Sequence, residues 1–569
     1  MNRAGPLAEQ AEALRGIEAL AGDEAATLSL APPKPPDVPP PPAPGGGDDD
    51  VGALGGHAAK GFAFMLGQAL VTRVLGLACQ IALARILIPE HFGLVALADT
   101  IATFAGLLQL IGVKEILVGR QKKFHLYANA AFWITIFAGL ITGAVIAASG
   151  PLAARVFNEP DLPGLMLVLA ISLPIWMFGL VPEARVQSQL RFKLLAGLVA
   201  MQATVTPLLT VALALGGFGP YSFVLPRIVV GLIRGIILFR AASLKFTRDF
   251  QFRRWKYIVS SSAIIFCTSL LMLIVQIGER PVLGVFVDTR EVGLYFFAYS
   301  ISLQTVMMIS VNLEQVLFAT LAKLQGDPAR LKRAFLRASN TLASIVVPLC
   351  LIQSAVSDAA VRTVFGLKWL DAIPTMQILG IAMVFPAAYC PANAMLQAQQ
   401  RFRTRFKLSL ANALLYITSV ITGVIIGTRV SGPVGGITGA AIGVSISMSI
   451  MNPIWSYITM RPVGGTWGST FGIIARPLIA GGLAVSAGLG TDLLLRPWAS
   501  GLVVRGIALQ HWVSLFVIGF VSAAAYLPLM RALMPDEFSE VAAKVMAIVR
   551  RAQRAAGRGP EPANAPSAS

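Results

Sequence analysis

The chain has 569 residues, 56% of them apolar and only 13% charged, with a mean hydropathy of +0.71 and a formal net charge of +18. A soluble protein carries about 25% charged residues, and so few charges cannot cover a soluble fold of this size. The apolar runs are continuous and about 20 residues long, as bilayer-spanning helices require, which excludes a transmembrane barrel built from alternating strands of about ten residues.

Residues 1–56 read as a tail. The stretch 31–50, APPKPPDVPPPPAPGGGDDD, joins a polyproline II tract to glycine and acid and predicts a disordered linker. No apolar stretch follows Met1, so no signal peptide is expected. Fourteen apolar segments come next, at 61–83, 91–113, 128–150, 162–182, 194–215, 220–240, 258–283, 292–318, 338–357, 372–395, 408–428, 434–458, 469–490 and 510–533. They divide into an N-lobe at 57–240 (spans 1–6), a basic linker at 241–257, a C-lobe at 258–460 (spans 7–12) and spans 13–14 within 461–533. The expected fold is an all-α membrane protein of two pseudo-symmetric six-helix lobes with two extra C-terminal helices. Within 534–569, Phe538, Val541, Val545 and Ile548 share one helix face, and Arg550, Arg551, Arg554 and Arg558 follow. This predicts a helix on an anionic cytoplasmic leaflet, then disorder.

Lys and Arg concentrate in alternate loops. The linker alone holds Lys245, Arg248, Arg253, Arg254 and Lys256, whereas the loop at 84–90 holds only Arg85. By the positive-inside rule both termini are expected in the cytoplasm of a multi-pass inner-membrane protein. The aromatic residues among the linker bases would stack on nucleic acid in a soluble protein, but between two spans they read as an interfacial connector, so no nucleic-acid partner is expected. No loop is long enough for a catalytic domain and no GxxxxGK[ST] motif occurs, which excludes an ATP-driven pump. Cys79, Cys267, Cys350 and Cys390 lie in apolar segments without CxxC spacing, and the four histidines stand far apart, so no metal site, catalytic residue or cofactor is expected.

The chain repeats itself. Residues 84–94, ARILIPEHFGL, and 284–294, GVFVDTREVGL, align at an offset of 200, placing Gly93-Leu94 on Gly293-Leu294. Val186–Phe192 (VQSQLRF) similarly matches Leu396–Phe402 (LQAQQRF). Six spans per copy make the copies parallel, related by an axis along the membrane normal, an arrangement that encloses a midplane cavity. Locally, Pro89 suits a first helical turn, Glu90 the positive end of the helix dipole, and Gly93 the close approach of a neighbour. The motif therefore reads as a tight hairpin with a structural role.

With Leu83–Leu94 (LARILIPEHFGL) and the QRF turn at Gln400–Phe402, the sequence resembles the polysaccharide branch of the multidrug/oligosaccharidyl-lipid/polysaccharide exporter superfamily, the Wzx-type flippases of lipopolysaccharide and exopolysaccharide biosynthesis. The resemblance covers residues 60–530. It implies alternating-access transport of a polyprenyl-diphosphate oligosaccharide. Membrane lipids and polysaccharide polymerase or chain-length machinery are the implied partners, and H+ or Na+ the implied coupling ion. A cation-coupled multidrug exporter and a membrane glycan polymerase or ligase stand as alternatives.

A charge at mid-bilayer costs about 2.5–3.5 kcal/mol on insertion scales and normally faces a cavity. On span 1, Gln68, Arg73 and Gln80 share one arc; on span 2, Asp99 lies at similar depth. A cavity lining in which Asp99 holds Arg73 is one reading, a structural ion pair the other. Arg227 and Arg234, seven apart on span 6, form a cationic stripe or snorkel to opposite surfaces. Gln276, Glu279 and Arg280 end span 7, with Glu279–Arg280 read as a rim pair or part of a gate. Lys114 and Glu314 fall at repeat-equivalent positions and form an inner gate or lie solvated. Gly435, Gly439 and Gly443, four apart, mark a packing stripe.

Overall fold

The computed structural model describes residues 72–107, 117, 124–244, 246–247, 263–304, 321, 324, 326–399, 401–499, 503–504, 507–508, 510–543 and 546. Apart from one two-residue ladder, Val503–Val504 with Ile507–Ala508, its secondary structure is helical. The N-lobe holds α1 (Thr72–Ile86), α2 (Pro89–Gly106), α3 (Phe124–Phe157), α4 (Leu162–Phe178), α5 (Leu180–Ser188), α6 (Phe192–Leu215) and α7 (Leu225–Ala242). The C-lobe holds α8 (Ala263–Ile277), α9 (Glu279–Phe286), α10 (289–304), α11 (Pro328–Ala360), α12 (Ile373–Ala382), α13 (Val384–Ala388), α14 (Cys390–Ala398) and α15 (Phe402–Met460). Two more helices follow, α16 (Trp467–Ala499) and α17 (Gln510–Leu533). Among the described residues nine helices are long and apolar enough to cross a membrane, or eleven if two bent pairs each count as one span.

The hairpin motif behaves as its residues dictate. Pro89 opens α2 without needing a donor, Glu90 sits in the first turn, and α1 and α2 meet at 119°. The equivalent turn in the second repeat joins α9 to α10, and the two turns dock on each other. A Cβ built on Gly93 would lie 1.9 Å from the Thr289 carbonyl oxygen, and one on Gly293 would lie 1.8 Å from the Pro89 carbonyl oxygen. Thr289 stands where Pro89 stands in the first repeat, so the contact is reciprocal, as a two-fold axis between the copies requires. Real Cβ atoms do not approach that closely, so only glycine permits this crossing.

Around the crossing lies an aromatic plug from both lobes. Phe92 meets Phe223 at 5.1 Å and Trp369 at 5.0 Å edge-on, while Phe297 stacks on Trp369 at 4.1 Å and meets Phe365 at 5.0 Å. Edge-to-face and offset pairs of this kind add about 0.5–1.5 kcal/mol each beyond their burial. Lower down, α2 packs on α8 and α9, and Gly284 of α9 seats against Leu97 and Phe157.

Helix α15 is a hairpin in itself. Its path breaks at Ser431 and Gly432, where Gly432 takes a φ of 67° that side chains disfavour. The limbs then run against each other through the expected glycine stripe, Gly427 against Gly435 and Gly423 against Gly439, backbone to backbone. Helices α16 and α17 pack together and on α11. The described half of the expected C-terminal face departs from expectation, while Val545, Ile548 and the arginines after them lie outside the described residues. Phe538 and Val541 pack on a cluster of Ala480, Ala484, Tyr526, Met530 and Met534 instead of lipid, and Glu540 accepts a bond from Arg337 at 2.8 Å. The protein offers these side chains a partner surface that the amphipathic pattern alone could not locate.

Replacing Gly93 or Gly293 with alanine forces a backbone shift and is expected to cost at least about 3 kcal/mol, the upper end of ordinary overpacking. Gly106→Ala, where nothing among the described residues lies within 4 Å of an added Cβ, is expected to be neutral or slightly stabilising. Thermal unfolding of the detergent-purified variants checks both.

Candidate functional site

The polar residues inside the membrane region fall into three groups. The first lies on facing surfaces of α2 and α7. Arg227 enters the first turn of α7 after Pro226, and its Nη1 donates to Asp99 Oδ1 of α2 at 2.6 Å. The side chains remain 42% and 28% exposed, so a ligand can reach the pair. This corrects the expectation that Asp99 holds Arg73. Arg73 is exposed near the start of α1 and has no ion pair among the described residues. The helix period places both arginines on plausible faces and cannot choose between them. Gln80 of α1 crosses to the C-lobe, donating from Nε2 to Ser300 Oγ at 3.2 Å.

The second group is sealed. Arg234, two turns beyond Arg227, pairs with Glu183 of α5, and its guanidinium stacks 4.5 Å over the Trp176 ring. The side chains are 12% and 17% exposed. The seven-residue spacing does place both arginines on one face, but their surroundings divide them into an accessible and an enclosed pair.

The third group contains Glu279 and Arg280, expected at a rim and found in the interior. Glu279 is wholly buried and Arg280 only 9% exposed. Tyr416 of α15 donates to Glu279 Oε2 at 2.8 Å, and Arg280 lies over the Phe296 ring at 4.8 Å. These partners from α15 and α10 explain the difference, because a pair at the end of an apolar run reads as a rim only while its neighbours are unknown. Gln276 is exposed, and its carbonyl accepts from Tyr299 Oη at 3.4 Å. Gln68, Lys114 and Glu314 lie outside the described residues.

Sequence reasoning missed a clamp at the hairpin end of the molecule. Arg290 reaches Asp371 at 2.8 Å, Glu291 at 3.3 Å and Glu90 at 3.9 Å. The hydrogen bond that Arg290 donates to Asp371 is the main reason its pKa stands above the ordinary arginine value. Arg85 donates to the carbonyls of Thr363 and Val364, Lys368 to those of Arg85 and Leu87, and Trp369 to that of Ala84. Each of these three links joins the N-lobe to the C-lobe. One signal for the clamp was present: Glu90 and Arg290 are opposite charges at repeat-equivalent positions, and residues near a two-fold axis meet their own equivalents. Among the described residues no group of three metal-ligating side chains occurs.

The model of the family described as polysaccharide biosynthesis protein matches residues 82–374, more than half of the chain, which takes in both hairpins, Asp99, Arg227 and Glu279. The lipopolysaccharide biosynthesis protein WzxC of Escherichia coli (strain K12) is 26% identical over 60% of this chain and 70% of its own length. The teichuronic acid biosynthesis protein TuaB of Bacillus subtilis (strain 168) is 25% identical over 55% of this chain and 65% of its own length. The solved structure of lipid II flippase MurJ, in an inward closed conformation, superposes with a TM-score of 0.63 at 12% identity, covering 83% of this chain and 99% of that one. That likeness extends to the fold. The chain belongs to the polysaccharide biosynthesis protein family.

The two arginine pairs differ in burial, so their removal separates by size. Arg234→Ala breaks an enclosed pair and is expected to cost about 3 kcal/mol; Arg227→Ala breaks an exposed one and is expected to cost about 1 kcal/mol or less. Comparing thermal unfolding of the two variants checks the ordering.

Proposed function

We propose that this member of the polysaccharide biosynthesis family is a flippase that carries a polyprenyl-diphosphate oligosaccharide across the bacterial inner membrane by alternating access, for assembly of a surface polysaccharide. It is a transporter and no bond of the substrate is made or broken. The observation that carries the proposal is the accessible Asp99–Arg227 pair beneath an end closed by the aromatic plug and the Arg290 clamp. The glycan and its diphosphate are too polar for hydrocarbon and cross between the lobes. The diphosphate competes with Asp99 for Arg227, whose guanidinium binds phosphate in a charge-assisted, bidentate way. An exchange of one anion for another leaves the arginine paired at every stage.

The prenyl chain stays in lipid. The apolar groove of about 740 Å³ along α15 suits such a chain, because Thr418 and Thr438 turn their hydroxyls onto carbonyls of their own helix and Gly423, Gly427 and Gly439 form part of the wall. With both termini in the cytoplasm, the hairpin end faces outward and the closed clamp is the outer gate. The route passes inward-open to outward-open by parting Glu90 from Arg290 and the Arg85, Lys368 and Trp369 bonds that join the lobes. A coupled flow of H+ or Na+ supplies the drive, and a polysaccharide polymerase or chain-length complex removes the product.

Deleting the gene is expected to cause accumulation of a polyprenyl-diphosphate repeat unit in extracted lipids, with loss of surface glycan, measured by mass spectrometry. Arg227→Ala, with near-normal stability, is expected to reproduce that accumulation. Normal lipids and normal glycan, with new sensitivity to cationic drugs, contradict the proposal and favour a multidrug exporter.

A further inference from the structure

Glu279 stands at a break in a spanning helix. Helix α8 ends at Ile277, Gly278 intervenes, and α9 begins with Glu279, turned 47° from the Ser269–Ile277 axis. The carboxyl is wholly enclosed. Its Oε2 accepts from Tyr416, but its Oε1 has no hydrogen-bond partner among the described residues. Arg280 Nε lies 3.7 Å from Oε1, close enough for attraction and too far for a hydrogen bond, and it too lacks a hydrogen-bond partner there. The phenol of Tyr295, from α10, is likewise buried and unbonded, and Tyr299 of the same helix turns its hydroxyl to the Gln276 carbonyl.

The groups facing Glu279 are thus Arg280 on its own helix, Tyr416 on α15, and Tyr295 and Tyr299 on α10. Helices α2 and α3 present Leu97 and Phe157 to α9. Packing stability does not call for this carboxyl, since an apolar residue of the same shape would avoid the cost of leaving a buried oxygen unbonded. Nor does substrate, which cannot reach a wholly enclosed group. An enclosed ionisable group in a membrane protein commonly marks an ion pathway.

We infer that Glu279 is a proton-binding site of the transport cycle, taking up and releasing one proton at Oε1. The proton adds to a lone pair of Oε1, forming one O–H bond and neutralising the carboxylate, and leaves by the reverse step. Tyr416 continues to donate to Oε2 in both states. The change alters the charge that ties α9 to α15 at a point where the α8–α9 path is already bent, so protonation biases the helix angle. A metal cation fits poorly, because the Arg280 guanidinium beside the carboxylate repels it. Asp99 is 28% exposed and ion-paired to Arg227, so it lacks the enclosure that marks Glu279. This inference rests on the transporter reading above and assigns its coupling ion.

The test has two arms on the full-length protein. In the first, infrared difference spectra of the purified protein are recorded during acid titration, without substrate. The carboxylic-acid carbonyl band is expected to contain one component that is lost in Glu279→Gln and moved to higher frequency in Tyr416→Phe, which loses the hydrogen bond to Oε2. In the second, the protein in liposomes is given a lipid-linked oligosaccharide under an imposed pH gradient. Wild-type flipping is expected to quicken several-fold with the gradient, and flipping by Glu279→Gln to be indifferent to it. Flipping that ignores the pH gradient or follows only a sodium gradient, or a carboxylic band that Glu279→Gln leaves unchanged, overturns the inference while leaving the flippase reading intact. No flipping under any gradient overturns the flippase reading and the coupling role with it.

Discussion

The reciprocal crossing of the two hairpins, Gly93 on Thr289 and Gly293 on Pro89, is the contact on which the rest of the structure depends. It brings the start of α2 against the start of α10 at a backbone distance no other residue pair allows. Given that approach, the Phe92–Phe297–Trp369 plug can close around it, and Glu90 comes within reach of Arg290. Away from the crossing, the Asp99–Arg227 pair stays accessible to a ligand. A tie at one end and an accessible polar surface below it are the two conditions for alternating access, and one pair of glycines underlies both.

Charge is placed with the same economy. The ion pairs Asp99–Arg227, Glu183–Arg234 and Glu279–Arg280 each match one acid with one base, as the cost of an unpaired ion in hydrocarbon demands. Their exposure sorts them by use. The accessible pair can exchange its anion, whereas the pair over Trp176 is packed too closely to do so. Among the described residues, Glu279 alone combines complete burial with an unbonded carboxylate oxygen.

The all-helical membrane character, the hairpin and the equivalence of the two hairpins were legible because each is carried by a local pattern: a continuous run, a Pro-Glu followed by Gly, an offset of 200 residues. The glycine stripe of α15 was legible for the same reason. Partnerships were not. Asp99 and Arg227 are 128 residues apart, and helical period gives the face a side chain occupies without giving what stands opposite. Glu279 was visible as an intramembrane acid, but its burial is set by Tyr416 and α10, which no local pattern connects to it. The symmetry of the repeat was the unused source, since it implies that position 90 meets position 290.

The claim that most needs testing is that the hairpin end opens during transport. Cysteines placed at Ile88 and Leu367, both exposed and each beside the Lys368–Leu87 contact, can be joined by a short reducible thiol cross-linker in the reconstituted protein. Joining them is expected to abolish flipping of the lipid-linked oligosaccharide, and reduction to restore it. Full-rate flipping by the joined protein would contradict the account, because the outer gate would then have no part in the route.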